Sequence, residues 1–209
     1  MVWRICIASS WTGRVYMPEV LTIARSEFIL GGQKSGKSLH AELLAQQWLG
    51  LSTDHSAVLI ATAQPWDEEM RARIGRHQAD RAQRVPGMQT IEEPLALAQA
   101  LAVHSRPDVL LVVDCLTLWL TNGMMPMHPQ AGAQFDVESQ VSALTESIAI
   151  APGPVVLVGN EIGMGVIPMG AEVRAFVDAL GRLNQRVAQA CARVTLMAAG
   201  LPLTLKAAP

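Results

Sequence analysis

Aromatic residues make up only 4% of this chain of 209 residues, and charged residues only 16%. The first scarcity leaves Ala, Val, Leu, Ile and Met to build the core, which favours a layered α/β protein over an aromatic-rich sandwich. The second, in a chain whose residues are 50% hydrophobic, excludes disorder. A formal charge of −2 provides no basic field, so no nucleic-acid or anionic-membrane partner is expected. Cysteine is also scarce. Cys6, Cys115 and Cys191 lie far apart and form no CxxC pair, which argues against a disulfide framework or zinc site and for a reduced, cytoplasmic setting. No apolar run reaches the ~18 residues of a membrane span. The short apolar stretch at the N-terminus is followed by neither a long apolar region nor a clear cleavage site, so no signal peptide is expected.

What is present is a strand–helix alternation. Phe28-Ile29-Leu30 is a short apolar run that stops at Gly31-Gly32. Residues 37–49 read as a helix, with Leu39, Leu43, Leu44 and Trp48 at helical spacing. Residues 57–61, 109–113 and 154–158 are continuous apolar runs, as expected of strands buried on both faces. Residues 67–84 read as a charged helix with Asp67 as N-cap. Further helices are expected over 94–104, 135–151 and 171–192, and late strands over 194–198 and 203–206. Residues 123–136 have no periodicity and read as a surface loop or lid. Together these predict an α/β fold with a mostly parallel central sheet covered by helices on both faces. Residues 1–25 read as an N-terminal extension and 26–209 as one domain.

Gly31-Gly32-Gln33-Lys34-Ser35-Gly36-Lys37-Ser38 fits G-x-x-x-x-G-K-[ST] between a strand and a helix. Glycines let successive backbone N–H groups turn inward toward phosphate oxygens. The following helix adds the partial positive charge of its N-terminus. Lys37 can reach the β- and γ-phosphates, and Ser38 can ligate Mg²⁺. Asp114 ends the strand over 109–113, at the edge where open α/β sheets bind ligands, and can hold Mg²⁺ directly or through water. By itself the loop establishes triphosphate binding, with a small-molecule kinase as the main alternative reading and a nucleotide switch as the second.

On the charged helix, Met70, Ile74, His77 and Arg81 share a stripe, so His77 is expected on the inward-facing side with Arg73 and Arg81 one turn away. From this helix alone, a half-buried histidine beside a solvated face is the simpler reading. Asn160-Glu161-Ile162-Gly163-Met164-Gly165-Val166-Ile167-Pro168 follows a buried strand, and Glu161 is expected to face the crevice. Arg182, Asn184, Gln185 and Arg186 either line a site or face water.

Taken in order, GGQKSGKS, ATAQPWDEEMRARIGRHQADR, VVDCLTLWLTN, GNEIGMGVIP and GRLNQRVAQ closely resemble the bifunctional adenosylcobinamide kinase/adenosylcobinamide-phosphate guanylyltransferase family of cobalamin biosynthesis. The resemblance runs from about Phe28 to Lys206. It implies a RecA-like phosphate-loop domain and a homo-oligomer, specifically a trimer. It implies that ATP or GTP phosphorylates adenosylcobinamide, and that GMP from GTP then passes through a histidine to adenosylcobinamide phosphate. The matching histidine is His77, so the resemblance reverses the simpler reading. It further implies nucleotide contacts at Ala61, Thr62 and Ala63, at Gln78, Ala79, Asp80 and Arg81, and at Glu92 and Asp114. Two departures stand out. Gln33-Lys34 replaces the family's usual Ala-Arg and keeps a cation, and Asp114 stands where Glu is common.

Overall fold

A computed structural model describes residues 22–126 and 135–207. Seven strands and six helices are described: β1 (Ser26–Gly31), α1 (Lys37–Leu51), β2 (Ser56–Ala61), α2 (Glu68–Arg84), β3 (Gln89–Glu92), α3 (Leu97–His104), β4 (Val109–Asp114), α4 (Leu116–Met124), α5 (Val137–Ile150), β5 (Val155–Val158), α6 (Ala171–Ala190), β6 (Arg193–Ala198) and β7 (Leu201–Lys206). The strands form one sheet in the order β3-β2-β4-β5-β1-β6-β7. Every pairing is parallel except β6 with β7. One strand, β5, separates the phosphate-loop strand β1 from β4, which ends in Asp114. This is an α/β arrangement around a mostly parallel sheet.

The apolar runs are buried because side chains alternate to both faces of each strand. Phe28, Leu111, Val113 and Leu157 point into one core layer with α3, α4, α5 and α6. Ile29, Leu110, Val112 and Val156 point into the other, against Ala41, Leu44 and Ala45 of α1. The sheet is therefore covered on both faces, as expected. Trp119 is fully buried in the first layer, and its indole N–H donates to the Leu95 carbonyl at 2.8 Å.

Two elements were not legible in the sequence. Strand β3 is short, polar and mostly exposed at the sheet edge, so it carries no apolar run. Helix α4 directly follows β4, and its apolar residues extend the strand's own hydrophobic run. It includes Gly123 and Met124, at the start of the expected loop; residues 127–134 of that loop lie outside the described residues. The expected N-terminal extension, residues 1–25, is likewise outside them except for its last four residues. Those four belong to the folded body: Arg193 donates to the Thr22 hydroxyl at 2.6 Å, and the Val155 N–H donates to the Arg25 carbonyl at 3.1 Å.

The buried face of α1 also differs from expectation. It is formed by Lys37, His40, Ala41, Leu44 and Ala45, with Glu42 buried at its margin, while Leu39 and Leu43 are exposed. The phosphate loop is the reason. It delivers Lys37 to the inside of the first turn, so residues at i+3, i+4, i+7 and i+8 follow it inward.

Candidate active site

The phosphate loop leaves β1 at the C-terminal edge of the sheet. Its bends are imposed by glycine. A Cβ on Gly31 would lie 2.4 Å from the Met197 carbonyl oxygen and 2.6 Å from Ser35 Oγ. Gly36, at φ 102°, turns the chain into α1 in a conformation that L side chains rarely adopt. The Ser35 N–H donates to the Gly32 carbonyl at 3.3 Å, and the Gly200 N–H donates to the Ser35 carbonyl at 3.0 Å. Gln33 and Lys34 are exposed, and Ser38 is half-buried in the first turn of α1.

Lys37 is buried, and its ammonium donates to the Gly32 carbonyl at 2.6 Å. Burial holds it below its ordinary proton affinity. The Asp114 carboxylate opposes that shift, while the positive charge of Arg73 on α2 adds to it. The charges of β4 and α2 thus act on Lys37 in opposite senses.

The strand register gathers the other expected residues there. Ala61 at the end of β2 pairs with both Asp114 on β4 and Glu92 on β3. Asp114 pairs in turn with Val158 on β5, which pairs with Ile29 on β1. Ala61, Ala63, Glu92 and Asp114 all lie along this one edge, half-buried or exposed. A hydroxyl from Ser38 and a carboxylate from Asp114 are hard oxygen donors. They fit Mg²⁺, which takes one or two protein oxygens and completes its shell with phosphate oxygens and water. No group of three or more His, Cys, Asp or Glu among the described residues could hold a metal by itself.

Thr62 is one of the expected nucleotide contacts. It is fully buried, and its hydroxyl is occupied twice: it donates to the Cys115 carbonyl at 2.7 Å and accepts from the Cys115 N–H at 2.8 Å. The buried Asn122 amide donates to the carbonyls of Thr62 and Pro94 at 2.8 and 3.1 Å. Thr62 and Asn122 thus hold the backbone immediately after Asp114. The role of Asn122 was missed in the sequence, although the residue closes the motif VVDCLTLWLTN, because the helix α4 that carries it was not expected. Burial and the nearby Asp114 push the Cys115 thiol up to about 11, so it stays protonated.

Helix α2 starts as expected, with Asp67 Oδ1 accepting from the Met70 N–H at 2.6 Å. The expected inward position of His77 is corrected: His77 is exposed, while Met70 and Ile74 are half-buried and only Arg81 is buried. The helix is held to the body near its C-terminal end, by Arg81 on β3 and Arg84 on α1, and its apolar stripe is only Met70 and Ile74, so nothing closes over the imidazole. Gln78, Ala79 and Asp80 are exposed beside His77. Arg81 donates to the Thr90 hydroxyl on β3 at 3.3 Å, and Arg84 pairs with Glu42 on α1. Sequence reasoning passed over Glu42 and Arg84, which lie 42 residues apart in the chain.

The segment after β5 is tied to the phosphate loop, with the Glu161 N–H donating to the Gly31 carbonyl at 3.2 Å. The Glu161 carboxylate turns back to accept from the Gly163 N–H at 2.8 Å. Asn184 is buried and donates to the Asn160 carbonyl at 3.1 Å, which makes it a brace between α6 and this segment. Arg182 and Gln185 face solvent, and Arg186 pairs with Glu138. A cleft of ≈ 520 Å³ near Trp48, Leu51 and Pro152 opens at the opposite edge of the sheet and contains none of the loop residues. Ligands of open α/β sheets bind at the C-terminal edge, where the phosphate loop lies.

A family model described as cobinamide kinase / cobinamide phosphate guanyltransferase matches residues 27–205. The chain belongs to this family. It is accordingly an enzyme of the bifunctional kinase and guanylyltransferase class. The bifunctional adenosylcobalamin biosynthesis protein CobP of Pseudomonas aeruginosa is 45% identical over 183 residues, covering 88% of this chain and 98% of that protein. The protein CobU of Escherichia coli, described in the same words, is 34% identical and covers 85% and 98% respectively. Among solved structures, the flagellar accessory protein FlaH from Methanocaldococcus jannaschii is similar over 88% of this chain and 80% of its own, with 10% identity and a TM-score of 0.48. No described helix is long and apolar enough to cross a membrane.

Proposed function

We propose that this chain first transfers the γ-phosphoryl group of ATP or GTP to the aminopropanol hydroxyl of adenosylcobinamide. It then transfers GMP from GTP to that phosphate by way of His77. The observation that carries this reading is that the strand register sets Asp114 at the sheet edge where the phosphate loop with Lys37 leaves β1, and that α2, with Arg73 and one turn on His77, follows β2 at the same edge. A lysine in the loop and an arginine beside the histidine suit a triphosphate whose α- and γ-phosphates are both attacked.

In the second reaction a neutral imidazole nitrogen of His77 attacks the α-phosphorus of GTP. The N–P bond forms as the bond to the β-phosphate oxygen breaks, and pyrophosphate leaves. A phosphate oxygen of adenosylcobinamide phosphate then attacks the same phosphorus, the N–P bond breaks, and adenosylcobinamide-GDP is released. Arg73 and Arg81 offset the negative charge on the phosphorus oxygens. Ser38 and Asp114 would hold Mg²⁺, which supplies charge neutralisation to the phosphates when bound. Gly31 to Ser38, Ala61, Ala63, Gln78 to Arg81 and Glu92 form the nucleotide side of the site, and Thr62 supports it from below.

The chain also acts as a homotrimer in this reading. Support comes from exposed apolar residues on β7 (Leu201, Leu203 and Leu205) and in the segment containing Met164, Val166 and Ile167. Light scattering of the purified protein measures the assembly. For the chemistry, GTP labelled on the α-phosphate should mark the wild type covalently. His77→Ala should take no label and still phosphorylate adenosylcobinamide; label retained by that variant sinks the assignment.

A further inference from the structure

Helix α2 is fixed to the body chiefly at one end. Of its residues, only Arg81 is buried, and Arg81 bonds to β3. The last residue, Arg84, reaches back to Asp80 at 3.0 Å and across to Glu42 of α1. Glu42 is only 4% exposed, although its neighbours Leu39 and Leu43 are open to solvent. Together with Gln83 and Val85 these residues line a groove of ≈ 180 Å³ between α1 and α2. The floor of that groove is a carboxylate, where an apolar side chain would cost less to bury.

Stability does not account for this choice. Burial raises the proton affinity of Glu42 in spite of the attraction of Arg84, so the folded protein bears a cost for the ionised form. What an ion pair supplies, and an apolar contact does not, is a fixed direction and register. Its position in the chain suits that purpose. Glu42 is five residues into the helix that begins at Lys37, and Arg84 is seven residues beyond His77, or ~7.5 and ~10.5 Å at the helical rise. The phosphate loop and Asp114 are set by β1, β4 and Thr62, none of which touches Arg84 in the bonds described.

We infer that Glu42 and Arg84 are a positioning pair that sets the His77 helix against the phosphate-loop helix and serves guanylyl transfer rather than phosphoryl transfer. This rests on the His77 reading above.

The test compares the two half-reactions in the full-length protein. Single-turnover labelling by α-phosphate-labelled GTP reports on His77, and phosphorylation of adenosylcobinamide reports on the loop. Arg84→Ala should slow labelling about tenfold or more, the scale expected of a misplaced reacting group, with phosphorylation within about threefold of wild type. Arg84→Lys keeps the charge but loses the fork and should recover part of the labelling rate. Glu42→Gln keeps the shape of the side chain and should reproduce the split if Arg84→Ala does not fold. Equal losses in both reactions, or unchanged labelling with only a lower unfolding temperature, would overturn the inference. A wild type that phosphorylates adenosylcobinamide but takes no label overturns the histidine reading and this inference with it. A labelled wild type with no split between the reactions overturns this inference alone.

Discussion

Thr62 and Cys115 exchange two hydrogen bonds through one hydroxyl, which donates to the Cys115 carbonyl at 2.7 Å and accepts from the Cys115 N–H at 2.8 Å. The two residues immediately follow β2 and β4, where Ala61 and Asp114 pair in register. The exchange locks the end of one strand to the first turn after the other. It therefore fixes the direction in which the Asp114 carboxylate leaves the sheet.

Thr62→Val preserves the shape of the side chain and removes both bonds. A buried N–H is then left without its partner, so the variant should lose about 1–3 kcal/mol of stability. Thr62→Ser should recover most of it. Urea unfolding of the three proteins measures the series, and equal midpoints for Thr62→Val and wild type would contradict it.

Gly31→Ala should cripple nucleotide binding in a protein that still folds. The added methyl would meet the Met197 carbonyl and Ser35 Oγ at 2.4 and 2.6 Å, so the loop must open to admit it. Gly32→Ala is the control, since a Cβ there meets nothing within 4 Å. Titration with a fluorescent GTP analogue should separate the two by at least about tenfold, or ~1.4 kcal/mol.

Acid stability should depend on Glu27. This carboxylate is buried on β1, 3.7 Å from His40 Nε2 and 2.7 Å from the Thr195 hydroxyl. Burial alone would raise its pKa. His40, Thr195 and Arg193 outweigh burial and hold it below the ordinary 4.5. A folded value below the unfolded one means stabilisation that is complete above pH 4.5 and lost as pH falls through the folded value. Glu27→Gln should therefore be less stable than wild type at neutral pH by about 1–3 kcal/mol. The difference should shrink in acid, as denaturant midpoints across the acid range will show. A difference that grows on acidification would reverse the sign.

Lys37→Ala should reduce both half-reactions by roughly 10²–10³-fold, the scale for loss of a preorganised cation or donor. Its effect on folding should be small, because burial already disfavours the charged ammonium. Parallel thermal unfolding and turnover measurements check both halves of this expectation.

Much of this protein was legible because its signals are local. The strands β2, β4 and β5 are built on continuous apolar runs, β1 on the shorter Phe28-Ile29-Leu30, and Asp67 caps α2 with its own side chain. The phosphate loop is a contiguous motif, although the atom that holds Gly31 to glycine, the Met197 carbonyl oxygen, comes from β6. Edge strand β3 was not legible, because its residues are polar and it exists only by pairing with β2. The face of α1 was misjudged for a similar reason. Periodicity favours burial of Leu39 and Leu43, whereas the loop's delivery of Lys37 decides the rotation of the helix.

The sequence by itself determined the phosphate loop, the alternation of strands and helices, and the family, since each is carried by residues adjacent in the chain. Only the tertiary structure decided that Thr62 supports Asp114 from within, that His77 stands exposed, and that Glu42 meets Arg84. The physical reason is the same in all three cases. Burial and pairing depend on which distant element closes over a side chain, and hydrophobic periodicity specifies a face without naming what will cover it.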